Sequence, residues 1–304
     1  MNNDSIYTQM CKKAMNNKEY IAISHDNDIL NFPLEISVGY PSEDFLKDVF
    51  AKYQKLLQEF PCCNEFISDV KTLSNGIIES ISWYKKGRID EAYKTFESCM
   101  PKNSQDYFCI QPITPTEELF RMRSEQGLQK EKEFHCLPKE KRYLCSANRY
   151  SIAGFPCFYV GYSKNDCKVE ISQHGSIVSL KLKEGKSLKV IDLTFDNDSN
   201  SEEKFIKIWP LIAACNMNYT YPDGKANFHE EYIIPELFAM YVVKNKEKLA
   251  VGGFRYYSTR NRELDICGRG EDDYRNIAFF PLGMESTNID GLMALFDFGK
   301  PENI

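Results

Sequence analysis

Glu170 ends the segment SKNDCKVE, seven residues after Ser163 and three after Cys167. Ser163 and Asp166 have the spacing of a capping box, so a helix is expected to begin here. On that helix Ser163, Cys167 and Glu170 fall at i, i+4 and i+7 and share one face. A carboxylate delivered in this way can accept hydrogen bonds from hydroxyl groups or offset a cation that develops in a transition state. Read plainly, the same residue is an exposed helix acid. Just upstream, FPCFYVGYS reads as a strand. Cys157, Tyr159 and Gly161 then lie on one side, with Phe158, Val160 and Tyr162 on the other. Tyr159 offers a ring for stacking and Gly161 a close approach to backbone, although a core tyrosine has the same signature.

Three arginines have the chemistry to hold an anion. Arg121 and Arg123 alternate in the strand-like LFRMR, and Arg149 opens RYS. Guanidinium forks bind phosphate oxygens bidentately and keep their charge; the plain reading is a solvated surface arginine. Ser258 stands in GGFRYYSTR, where a hydroxyl can hold an amide or a phosphate. Thr259 takes its place if the register slips by one. Asn276, in YRNIAFFP, is a further candidate for ligand contact, against a structural strand-end residue.

The elements that must position these groups follow from periodicity. Phe45, Val49, Phe50, Tyr53, Leu56, Leu57 and Phe60 recur at helical spacing, with Ser42 where an N-cap would stand and Pro61 closing the run. Further helical runs extend from Ile67 to Tyr84, ending at Gly87, and from Ile89 to about Cys99. Residues 1–110 therefore read as an all-helical N-terminal domain with a regulatory or contact role. PKNSQDYFCIQPITPT carries three prolines and no helical period, which marks a boundary. Beyond it, 115–304 alternates clustered strands with helices. ELFRMR, FPCFYVGYS, SIVSLKL, SLKVIDLTF, GGFRYYST and RNIAFFP read as strands, the third and fourth joined by a turn at Glu184–Gly185–Lys186. EEKFIKIWPLIAAC and EEYIIPELFAMYVVKN read as helices. The class is α+β, with a mostly antiparallel or mixed sheet. Neither GxGxxG nor a P-loop occurs, so Rossmann and NTPase readings have no support.

Composition narrows the function. The 304 residues are 42% hydrophobic, enough for a proper core, and the net charge of −6 argues against a partner made of nucleic acid. Eleven cysteines without a CxxC pair read as mostly buried free thiols. His135, Cys136 and Cys145 lack a fourth ligand nearby, so no metal is expected. The first twenty residues lack the apolar core of a signal peptide, and no stretch reaches the ~20 apolar residues of a membrane helix. A cytoplasmic protein with no membrane partner is the expectation.

The stretch from Leu119 onward resembles the RES domain, named for arginine, glutamate and serine, in the branch with an added N-terminal helical region. The likeness is carried by LFRMR, FHCLPKEKRYLCSANRYSIAGFPCFYVGYSKNDCKVE, LKVIDL, IWPLIAAC, EYIIPEL, GFRYYST and YRNIAFFP, in that order. The resemblance implies an ADP-ribosyltransferase-like fold that binds NAD⁺ and breaks its nicotinamide–ribose bond by hydrolysis or phosphorolysis, a toxin activity that depletes NAD⁺ and arrests growth. It also leaves open transfer of ADP-ribose to a protein, and a non-catalytic nucleotide sensor is the reading from another class. By position, it implies catalytic roles for Glu170, Arg149 and Tyr159, and binding roles for Arg121, Arg123, Ser163, Ser258 and Asn276. No cofactor beyond NAD⁺ as substrate is implied. The expected partner is an Xre-like antitoxin or another neighbouring regulator, with homo-oligomerisation left open. Two positions depart from the family's pattern: Lys168–Val169 replaces a tryptophan, and Glu236 stands where a glutamine is usual.

The chemistry fits those residue types. Nicotinamide leaves as a neutral molecule from a cationic start, so a strong general acid is unnecessary. Stabilising the oxocarbenium-like ribose matters most.

Overall fold

Apolar residues repeating every three to four positions become helix nearly where the pattern puts them. In this computed structural model, α1 (Ile6–Met15) is followed by β1 (Leu34–Ser37), α2 (Ser42–Gln58), α3 (Ile67–Lys85), α4 (Ile89–Cys99) and the short α5 (Ser104–Tyr107). The middle of the chain carries β2 (Cys109–Ile113), β3 (Leu119–Arg123), β4 (Phe158–Gly161), α6 (Lys164–Glu170), β5 (Ser176–Leu182) and β6 (Leu188–Asp192). The last third runs α7 (Ser199–Cys215), β7 (Met217–Thr220), α8 (Ile233–Leu249), β8 (Gly253–Tyr257) and β9 (Arg275–Phe279), then α9 (Asp290–Met293), β10 (Phe296–Phe298) and β11 (Glu302–Asn303). The structure describes residues 5–22, 28–171, 173–194, 199–221, 226–260, 275–280 and 290–304. The fold is α+β with an N-terminal helical region.

The chain forms two compact units. The first gathers residues up to 109 with the segment from 199 to 241. Its centre is Trp209 of α7, fully buried and stacked on Tyr53 of α2 at 3.9 Å between ring centroids. Pro210 follows within the helix and has no N–H to give the carbonyl four residues back, at Ile206. The Tyr53 hydroxyl fills that place, donating to Ile206 O at 3.0 Å. Gly87, at φ +74°, takes the left-handed turn that ends α3. Ser42 proves to be the first helical residue and caps nothing; its backbone N–H and hydroxyl both donate to Glu230 Oε1. The helical region also contains one short strand outside the helical reading: β1 pairs in parallel with β7, Leu34 opposite Met217. β1's few residues alternate buried and open positions, too short a run to stand out from loop. Glu236 lies in this unit and accepts the Tyr84 hydroxyl at 3.2 Å.

The second unit holds the mixed sheet, in the order β10-β5-β3-β4-β9-β8-β6-β2, with β11 beside β5. Among the registers described in this sheet, β6 and β8 pair in parallel, whereas β3–β4, β3–β5, β4–β9 and β8–β9 are antiparallel. The turn at Gly185 is present, with Lys186 N donating to Lys183 O at 3.1 Å. The strands it joins are not neighbours, because β5 pairs with β3 and β6 with β8. Leu188, Val190 and Ile191 are all buried, which suits an interior strand covered on both faces. One face of the sheet carries the main core, with Leu119, Phe158, Val160, Leu180, Val190, Ile277 and Phe279.

Candidate active site

Glu170 reaches its place through the end of β4. After Gly161 the chain turns into α6, and Ser163 caps it: Asp166 N donates to Ser163 Oγ at 3.1 Å, while Ser163 N donates to Asp166 Oδ2 at 3.0 Å. The capping box expected from the sequence is present, and the Ser163 hydroxyl is part of it. Cys167, one turn on, is buried against Met122 and Ile177 and seats the helix on the sheet. Glu170 lies near that side and is half-buried.

Register decides what Glu170 meets. Gly161, Asn276 and Tyr256 sit opposite one another across β4, β9 and β8, so they project to one face. Their neighbours Val160 and Ile277 project to the core face, which both join. Ser258, two residues beyond Tyr256, follows the same side as Asn276. Ser258 Oγ donates to Glu170 Oε1 at 2.5 Å, and Asn276 Nδ2 donates to the same oxygen at 2.9 Å. The two donors are only 2% and 4% exposed. Arg260 N in turn donates to Ser258 Oγ at 3.3 Å, which leaves the serine proton for Glu170. Arg260 Nε stands 3.5 Å from Glu170 Oε2. Gly161 lets this cluster form: a Cβ there would come within 3.2 Å of Asn276 Oδ1, Asp166 Cβ and Cys167 Sγ.

The remaining candidates divide between the two faces. Phe158 and Val160 are in the main core and Tyr162 packs against it, so Tyr159 projects to the Glu170 face. Burial first, then the neighbouring Cys157 and Tyr256, push its phenol well above the ordinary range. Arg149 is half-buried in a turn closed by reciprocal backbone bonds between Asn148 and Ser151. Tyr150 anchors that turn on the Glu170 face, fully buried with its ring 4.5 Å from Phe254 and 4.4 Å from Tyr256.

Arg121 sits on the core side. It lies 4.4 Å from the Phe158 ring, with Nε donating to Phe134 O at 2.6 Å and Nη1 to Tyr159 O at 2.7 Å. Burial, with the charge of Arg123 behind it, pulls its pKa below the ordinary value. Arg123 Nη2 donates to His135 O at 2.7 Å. Both guanidinium groups therefore brace main chain, and the arrangement does not bring them to Glu170.

Two features escaped the reading of the sequence. Arg260 stands two residues past Ser258, and only the STR run hinted at it. A buried ionic network also occupies the core face: Arg255 Nη1 donates to Asp192 Oδ2 at 2.7 Å and Nη2 to Glu117 Oε1 at 3.3 Å. An acid ending an apolar strand at Asp192 and a base inside another at Arg255 were its signals.

Among the described residues nine cysteines are free, mostly buried or half-buried, whereas Cys11 is disulfide-bonded and departs from the all-thiol expectation. Among the described residues no group of three or more His, Cys, Asp or Glu could hold a metal ion, and no helix is long and apolar enough to cross a membrane.

Fold and cluster together define an α+β protein with a half-buried carboxylate fixed by two buried neutral donors. Among known proteins, it is 28% identical over 270 residues to Putative toxin YopC of Bacillus subtilis (strain 168). The alignment covers 78% of this chain and 60% of that protein, so the chain spans under two thirds of its relative's length. No family profile matches, and no solved structure does.

Proposed function

We propose that this chain is a RES-type toxin enzyme that breaks the nicotinamide–ribose bond of NAD⁺ at Glu170. The supporting observation is the meeting of Glu170, Ser258 and Asn276: two donors far from Glu170 in sequence converge on one of its carboxylate oxygens. Likeness to a protein named as a toxin supports the biological setting. A merely solvated helix acid has no need of two buried donors, whereas a carboxylate that must meet a reacting carbon in one orientation does.

In this reading the C1′–N bond of the nicotinamide ribose lengthens and its electron pair leaves with the nicotinamide nitrogen, which neutralises the pyridinium. The ribose carbon becomes cationic, and Glu170 Oε2 faces that charge while Oε1 stays held. Water, or phosphate, then forms the new C1′–O bond; with water, a proton is released to solvent. Tyr159 and the Arg149 turn line the same sheet face and supply a ring and a guanidinium for the rest of the dinucleotide. Arg121 and Arg123 keep β3 and β4 in place. The same bond breaks if a protein side chain is the acceptor, and residues 1–110 serve contacts or regulation in the cytoplasm, with an Xre-like antitoxin or another neighbouring regulator as partner.

The test is incubation of purified protein with NAD⁺ in buffer, in phosphate and in lysate, with free nicotinamide quantified. Release in buffer or phosphate is the expected result. Release in lysate alone would favour ADP-ribosyl transfer, and no release in any of the three would leave only a nucleotide-binding protein.

A further inference from the structure

The two oxygens of Glu170 have different surroundings. Oε1 accepts from uncharged side chains that are almost wholly buried, at 2.5 and 2.9 Å. Oε2 faces Arg260 Nε at 3.5 Å, on a side chain 60% exposed. An ion pair so long and so exposed contributes little to stability. The main chain of the same residue is held, because Arg260 N donates to Ser258 Oγ. The residue is thus anchored at its backbone while its guanidinium extends into solvent beside the carboxylate oxygen that, among the described residues, accepts from no buried donor.

We propose that Arg260 is the residue that selects phosphorylated substrates at this site. When substrate enters, the guanidinium leaves Glu170 Oε2 and takes phosphate oxygens, for which its fork is better matched and more strongly bound. The exchange does two things at once. It gives the site a preference for nucleotides and dinucleotides over nucleosides that lack phosphate. It also removes a neutralising cation from Glu170 at the moment a ribose cation must be met, so the carboxylate is masked in the free protein and unmasked in the complex. This inference rests on the reading of Glu170 as the NAD⁺-cleaving carboxylate.

The experiment compares the parent with Arg260→Gln and Arg260→Lys on two compounds that share the nicotinamide–ribose bond. One is NAD⁺ and the other nicotinamide riboside, which has no phosphate; the riboside serves as substrate or, if turnover is slow, as competitor. For Arg260→Gln, KM for NAD⁺ should rise roughly 10-fold, as for a lost charge-assisted contact, with kcat little changed. The riboside constant should stay the same or improve, and Arg260→Lys should recover part of the NAD⁺ loss. Equal shifts for both compounds, or no shift for either, would overturn the role of Arg260 while leaving the cleavage reading intact. A parent that releases no nicotinamide from NAD⁺ would overturn both. Because Arg260 is exposed, the variants should keep the parent's circular dichroism and melting point.

Discussion

At the scale of single residues, one carboxylate oxygen gathers the candidate site. Glu170 Oε1 holds two hydrogen bonds from buried partners, and buried donors cost more to leave unmade than exposed ones. Removing either partner frees the carboxylate to rotate. Ser258→Ala and Asn276→Ala should each lower nicotinamide release about 10–100-fold, as expected for one lost bond to a charged group. The double variant should lose less than the product of the two, because both act through the same carboxylate. Strict multiplication would mean that the two side chains act independently. The choice between Ser258 and Thr259 left open by the sequence is decided by register: Ser258 follows Tyr256 on the Asn276 side, and its hydroxyl meets Glu170.

At the scale of elements, local pattern and tertiary pairing separate. The boundaries of α3 and α4 are legible from apolar spacing and from Gly87, and the opening of α6 from the Ser163–Asp166 pair, because each signal lies within one turn of chain. The partners of β5 and β6 are not legible. A turn of correct chemistry sits between them, yet pairing follows which faces can be buried together, and that depends on strands far away in sequence. The site was legible in part for the same reason: Glu170, Ser258 and Asn276 stood out individually, while the side of the sheet reached by Arg121 depends on its pairing with β4 and β5. In the first unit the helix α7 tolerates Pro210 because Tyr53 serves the Ile206 carbonyl. Tyr53→Phe keeps the stack on Trp209 and should cost about 1–2 kcal/mol in denaturant unfolding. In a Pro210→Ala background, where an N–H returns, the same change should cost less. An equal cost in both backgrounds would separate the hydroxyl from the proline.

At the scale of the whole molecule, burial of ionisable groups predicts a pH dependence. Desolvation pushes the thiols of Cys63, Cys99 and Cys167 and the phenols of Tyr84 and Tyr107 to about 12. In the unfolded chain these groups ionise near their ordinary values, about 8.5 for a thiol and 10 for a phenol. Their contribution is therefore complete below pH of about 8.5 and lost as pH rises towards 12. Burial also disfavours the charge on Arg121, but a guanidinium keeps its proton through this range and adds no titration of its own. The three thiols and two phenols set the sign, so the melting point should fall steadily between pH 8.5 and 10.5. A flat or rising profile would contradict the burial of these groups.

The claim that Glu170 is the working carboxylate has the most direct test. Glu170→Ala should lower nicotinamide release from NAD⁺ by ~10²–10⁴-fold, the range for a lost catalytic acid or base, with an unchanged melting point. Cells expressing it should keep their NAD⁺ and grow, while the parent depletes the one and halts the other. A folded Glu170→Ala protein that releases nicotinamide as fast as the parent would contradict the account.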